Sequence, residues 1–112
     1  MDTFEMADLI AEQRELGERY LEFFTANTGT LSLGLYVLPA GDTDPQQPHT
    51  EDEIYYVVSG SARIRVGDED QDVKAGSVIF VETSVPHRFH SITKTLTLLV
   101  VFAPPRRSRA TS

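Results

Sequence analysis

The stretch Gly41-Asp42-Thr43-Asp44-Pro45-Gln46-Gln47-Pro48-His49-Thr50-Glu51-Asp52-Glu53, with six residues between it and Gly60, decides how this chain is read. Its counterpart is Gly76-Ser77-Val78-Ile79-Phe80-Val81-Glu82-Thr83-Ser84-Val85-Pro86-His87, with His90 three residues on. Together they hold every histidine of the chain. Imidazole and carboxylate are common ligands of divalent transition metals. Two histidines and a carboxylate with open positions are what an oxygen-activating or Lewis-acid metal centre needs. The two stretches are far apart in sequence, so only a fold can unite them.

Around these stretches the pattern is one of short strands. Phe4–Leu16 reads as a helix, with Met6, Leu9, Ile10 and Leu16 as an apolar stripe and Gly17 as its stop. Segments 20–25, 30–38, 53–58, 61–67, 78–82, 87–92 and 95–102 read as strands. Asn27-Thr28-Gly29, Ser59-Gly60 and Gly67–Asp70 supply tight turns. Many short strands with closely spaced turns indicate an antiparallel sandwich or barrel. Strands 53–58 and 95–102 are apolar on both faces, and the outer one needs a cover. A homodimer through Ile54, Tyr56, Val58 and part of 96–102 is expected, with the N-terminal helix as the other candidate cover.

The chain has 112 residues, 40% of them hydrophobic, enough for one domain and one core. It reads as a helical segment over 1–18, a barrel over 19–104 and a disordered basic tail over 105–112 carrying Arg106, Arg107 and Arg109. It contains no cysteine, which excludes disulfides and thiolate metal sites. A formal charge of −7 argues against nucleic acid or an anionic membrane as partner. No secretory segment or long apolar run is evident, so a cytoplasmic location is expected. No Ser-His-Asp arrangement or phosphate loop is evident either.

The two spacings resemble those of the cupin superfamily. Its first motif runs Gly, five residues, His, one, His, three or four, Glu, six, Gly. From Gly41 this puts Gln47 and His49 in the histidine slots, then Glu53 and Gly60. Its second motif runs Gly, five residues, Pro, one, Gly, two, His. From Gly76 this puts Glu82 in the proline slot, Ser84 in the glycine slot and His87 in the histidine slot. The resemblance covers most of the chain beyond residue 30. It implies an all-β double-stranded β-helix, a jelly-roll-like barrel with a short N-terminal helix. It also implies that Gln47, His49, Glu53 and His87 converge inside it on one divalent metal. Iron(II) is favoured, with manganese, nickel, copper or zinc as alternatives.

Residue chemistry refines that set. Gln47, His49 and Glu53 share strand parity and so a face. Gln47 offers only a neutral amide oxygen, for the metal or for substrate or water. Glu51 is either an exposed loop acid or a ligand. Glu53 is either a ligand or an ion-pair partner of Arg63 or Arg65. His90 differs from His87 by an odd number and belongs on the outside. Leu33, Leu35, Tyr55, Val57, Ile64 and Phe89 are expected to make the inside largely apolar. The function expected is a metal-dependent enzyme on a small, partly apolar molecule, first of all a dioxygenase. The alternatives are a non-redox isomerase or lyase and a non-catalytic binding module.

Overall fold

The computed structural model describes residues 1–45 and 50–106. One helix precedes six strands: α1 (Met6–Leu16), β1 (Tyr20–Thr25), β2 (Ser32–Leu38), β3 (Asp52–Val66), β4 (Glu69–Lys74), β5 (Val78–Val81) and β6 (His87–Ala103). The strands form one sheet in the order β1-β2-β6-β3-β4, with β5 also paired to β3. The pairings are antiparallel. The helix ends where Gly17 enters the left-handed region at φ 74° and its N–H bonds the Gln13 carbonyl.

Two strands are longer than the sequence pattern suggests. Segments 53–58 and 61–67 are one strand, β3, and 87–92 and 95–102 are one strand, β6. Gly60 is therefore a bend inside a strand, not a turn between two. Here φ is 98°, and a Cβ would overlap the Thr95 carbonyl oxygen on β6. The β3–β6 register shifts between Val57 and Ser59, Ser59 and Ser61, and Ser61 and Arg63. These irregularities move the inward face from odd to even positions. Glu53, Tyr55 and Val57 are buried before the bend, and Ala62 and Ile64 after it. Along β6 the change is again from odd to even, from His87 and Phe89 to Leu96, Leu98, Val100 and Phe102, with Ser91 at φ 51° between. Bulges of this kind bend and twist a ribbon.

β4 lies where the sequence suggested only a turn and loop. Of its six residues five are exposed and Val73 alone is buried, so no apolar alternation marked it. The two-residue turn Gly67-Asp68 joins it to β3.

The core comprises Tyr36, Leu38, Tyr55, Val57, Ala62, Ile64, Val73, Val81, Phe89, Ile92, Leu96, Leu98, Val100 and Phe102. Leu33 and Leu35 are not among them. On β2 the inward positions are even, because Tyr36 and Leu38 stand opposite Leu98 and Leu96. Leu33 and Leu35 pair with Val101 and Leu99 on the outer face. There α1 packs against β1 and β2, buries Leu9, and sets Phe4 edge-on to Phe23 and Phe24.

The helix covers only part of that outer face. Farther along it, Ile54 pairs with Phe80 and Tyr56 with Val78, and these four are 41%, 58%, 42% and 68% exposed. Such a contiguous apolar patch favours a partner. The homodimer expected from the sequence would use this patch as a self-complementary surface. Light scattering at micromolar concentration should give twice the chain mass for wild type and the chain mass for Tyr56→Glu, with circular dichroism unchanged. A monomeric wild type would leave α1 as the only cover.

The bend makes a second expectation. Gly60→Ala adds a Cβ where both φ and the Thr95 backbone forbid it, so it should cost about 3 kcal/mol or more in urea unfolding, or prevent folding. A loss below about 1 kcal/mol would contradict the close approach.

Candidate functional site

Glu53 is the second residue of β3 and His87 the first of β6. In the sheet Glu53 faces Phe102 and Val81, whereas His87 faces Val66 at the other end of the ribbon. The bend nevertheless brings the two together inside the barrel. His87 Nε2 lies 3.1 Å from Glu53 Oε1, and the side chains are only 2% and 1% exposed.

The chemistry of this contact follows from the other ring nitrogen. His87 Nδ1 lies 2.9 Å from the Val85 carbonyl, which can only accept, so Nδ1 carries a proton and donates it. In the neutral ring, Nε2 then presents a lone pair, with the Tyr55 hydroxyl 3.1 Å away. That lone pair and an acceptor-only carboxylate oxygen face each other, and both Glu53 oxygens lack a hydrogen-bond partner among the described residues. A positive species between them resolves the clash: a proton on Nε2, or a metal. Burial pulls the His87 pKa down, but the Glu53 carboxylate and the Val85 carbonyl outweigh it, and the net shift is upward.

Of the four candidates, the two described, Glu53 and His87, have a geometry that fits a metal. Two ligands held about 2.0–2.2 Å from one ion, at right angles, are about 3 Å apart. A histidine whose Nδ1–H is fixed by a carbonyl has the tautomer and orientation that a ligating Nε2 needs. Gln47 and His49, the other two candidates, lie outside the described residues. The described residues flanking them are anchored. Asp44, buried, accepts from the Tyr36 hydroxyl at 2.6 Å and from the Phe89 N–H at 3.0 Å. On the C-terminal side of the motif, Asp52 accepts from the Thr83 N–H at 2.9 Å, and the Thr83 hydroxyl donates to the Thr50 carbonyl at 2.6 Å. The described ends of the first motif are thus tied to the second motif and to the barrel.

The remaining candidates separate cleanly. Glu51 is 1% exposed and accepts from the Thr50 hydroxyl, so it is not the exposed loop acid. Arg63 pairs with Asp70 and Asp72 on the outer side, and Arg65 is exposed, so neither neutralises Glu53. His90 is on the outside, bonded to Asp70 at 3.0 Å. Ser84, in the glycine slot of the second motif, keeps the left-handed conformation at φ 62°, which favours glycine there. Tyr55 and Phe89 are fully buried and meet edge to face at 4.9 Å beside His87, so the interior is packed and apolar around one polar end. Two surface clefts, one bounded by Val66, Asp70, Val73 and Phe80 and one by Ser61, Arg63, Asp72 and Thr93, do not include Glu53 or His87.

Sequence reasoning missed Asp44, and also Tyr20, which packs against the core beside Phe102. Asp44 sits in the first motif, but nothing local distinguishes it from Asp42. Tyr20 lies on β1, outside both motifs, and no spacing marks it.

A β-helical barrel with a buried histidine–carboxylate pair at its polar end defines the class. The family model for the cupin domain matches residues 34–102, and the chain belongs to that family. An uncharacterised protein of Streptomyces coelicolor is 47% identical over 105 residues, 94% of this chain and 98% of that protein. A Thermus thermophilus structure is 25% identical with a TM-score of 0.71, covering 94% of this chain and 99% of that one. A cupin 2 conserved barrel protein from Rhodopseudomonas palustris is 18% identical with a TM-score of 0.69. This chain covers 61% of the latter's length, and 78% of this chain is aligned.

The His87–Glu53 contact predicts a titration in metal-free protein. The folded pKa is raised, so the protonated pair stabilises the fold fully below the unfolded value of about 6.5, and this contribution is lost as pH rises through the folded pKa. Imidazole NMR should place His87 above the ordinary range, and Glu53→Gln should lower it. An unchanged titration in the variant would remove Glu53 as the cause.

Proposed function

We propose that this cupin is a metal-dependent enzyme acting on a small, partly apolar organic molecule that offers one or two oxygens. The observation that carries the proposal is the buried contact of His87 Nε2 and Glu53 Oε1 at 3.1 Å, with no lysine or arginine among the described side chains paired to the carboxylate. A buried carboxylate whose one close polar neighbour is an imidazole is costly to desolvate, and a divalent ion shared by the two offsets that. His49 and Gln47, from the first motif, would complete the set.

When bound, a metal here supplies Lewis acidity toward an oxygen of the substrate. The chain's own residues do the rest. Tyr55 holds a proton on its hydroxyl 3.1 Å from Nε2, within reach of a group bound beside His87. Tyr55 and Phe89 close the inner side against water. The Val85 carbonyl holds the imidazole in its ligating orientation.

Two reaction classes use such a site. Oxygen-dependent cleavage, with iron(II), is the class first expected from the motifs, and a site with few protein ligands leaves open positions for it. Isomerase or lyase chemistry, with zinc or manganese, draws support from the Tyr55 hydroxyl as a proton donor.

Elemental analysis should find about one divalent metal per chain, lost in His87→Ala while the barrel stays folded. Equal metal in wild type and a Glu53→Ala/His87→Ala variant would sink the proposal. Oxygen uptake by iron-loaded protein over a panel of catechols and diketones selects the first class. Turnover of the same panel without uptake selects the second. Tight binding without turnover means a binding module.

A further inference from the structure

Three buried side-chain atoms lack a hydrogen-bond partner among the described residues: the two oxygens of Glu53 and the hydroxyl of Tyr20. Buried phenol hydroxyls almost always have a partner. The third orphan therefore requires its own explanation, and its position supplies one.

Tyr20 stands opposite Tyr36 in the β1–β2 register, so its side chain belongs to the inner face. Its ring passes over Gly34, where a Cβ would overlap the hydroxyl. It meets Phe102 edge-on at 6.2 Å and Tyr36 at 6.3 Å. Phe102 is the cross-strand partner of Glu53. The Tyr20 ring thus reaches from the edge strand, over a residue without a side chain, toward the strand position that carries the carboxylate.

Two further groups shape its chemistry. Burial first, then the charges of Glu22 and Glu53, push the Tyr20 pKa well up, while Arg106 opposes them. Tyr20 is accordingly a phenol, able to donate, at any working pH. The Arg106 guanidinium lies 4.7 Å from the ring centroid, a cation–π contact, and the Arg106 N–H donates to the Ser32 hydroxyl at 2.9 Å. A cation on the ring face makes the phenol a better donor and adds positive charge beside an otherwise acidic interior. Tyr20, Ser32 and Arg106 all lie outside the 34–102 match, so this is a feature of the chain and not of the family motif.

We propose that Tyr20 binds the ligand of the Glu53–His87 centre. Its hydroxyl donates to an oxygen of that ligand, and Arg106 on its ring biases the site toward an oxygen anion: an enolate, a phenolate or a carboxylate. The proposal rests on the metal-dependent reading above and deepens it by naming the ligand class.

The test uses full-length cobalt(II)-loaded protein and two probes, 4-nitrocatechol as a chelating oxygen anion and imidazole as a neutral metal ligand. Tyr20→Phe keeps the ring and removes only the donor. It should retain cobalt, melt near the wild-type temperature, bind imidazole as wild type does, and bind 4-nitrocatechol at least tenfold more weakly. Arg106→Gln should show the same selective loss, smaller in size. An affinity of Tyr20→Phe for 4-nitrocatechol within twofold of wild type would overturn the proposal. An equal loss for both probes would do so as well, since it marks a structural role. So would a wild type that holds cobalt and takes up no 4-nitrocatechol. A wild type that holds no cobalt brings down the metal reading itself, and this inference with it.

Discussion

The doubling-over of the β3–β6 ribbon governs everything else in this molecule. Measured along β3, the positions opposite Phe102 and opposite His87 are thirteen residues apart. In a straight strand that is about 43 Å, longer than the largest dimension of the protein, 36 Å. Yet the side chains of Glu53 and His87 approach to 3.1 Å. The closure is made by the bulged stretch at Gly60 and Ser91, where the chain visits left-handed φ and the inward parity switches on both strands. The bend creates the interior and the site in one step. The core and the chemistry cannot be separated, because Tyr55 and Phe89 line both.

The site is electrostatically unfinished by design of its surroundings. Two side chains that would each rather be solvated are held in a nearly dry interior, and the scaffold forces them close. Rigid neighbours make that tolerable. The Val85 carbonyl fixes one ring nitrogen of His87, and Asp44, Asp52 and Thr83 tie the motif loops to the barrel. Strain at Ser84, left-handed without being glycine, is a further local cost of aiming His87 inward. Under the proposed metal-dependent reading, such a preorganised pair would take up a cation without first reorganising, which would offset these costs.

The sheet's margins are handled differently from its middle. The edge strand β4 carries Glu69, Asp70, Asp72 and Lys74, charges that discourage another strand from adding there. The outer face is apolar instead, covered by α1 at β1 and β2 and open at β5 and β3. Charge on this margin and hydrophobicity on the outer face fit the proposed dimer through face-to-face packing.

The Gly, Glu and His spacing pointed to the barrel and to Glu53 and His87 as an inward pair, because motif spacing records where strands must start. Apolar periodicity located α1 to within two residues and found β1, β2 and β5, because each has local alternation or a local stop signal. It divided β3 and β6 in two, since a glycine at a bend looks like a glycine at a turn. It overlooked β4, since a strand with one buried residue has no pattern. It placed Leu33 and Leu35 inside, since parity within a strand does not say which face is inward until the neighbouring strand sets the register. The roles of Asp44 and Tyr20 were invisible for the same reason. A hydrogen bond from Phe89 to Asp44, or a ring from β1 laid over Gly34 toward Phe102, joins residues that are neighbours only after the sheet has curled. Local sequence fixes propensity and spacing; which distant groups meet is decided by register and curvature, which belong to the whole sheet.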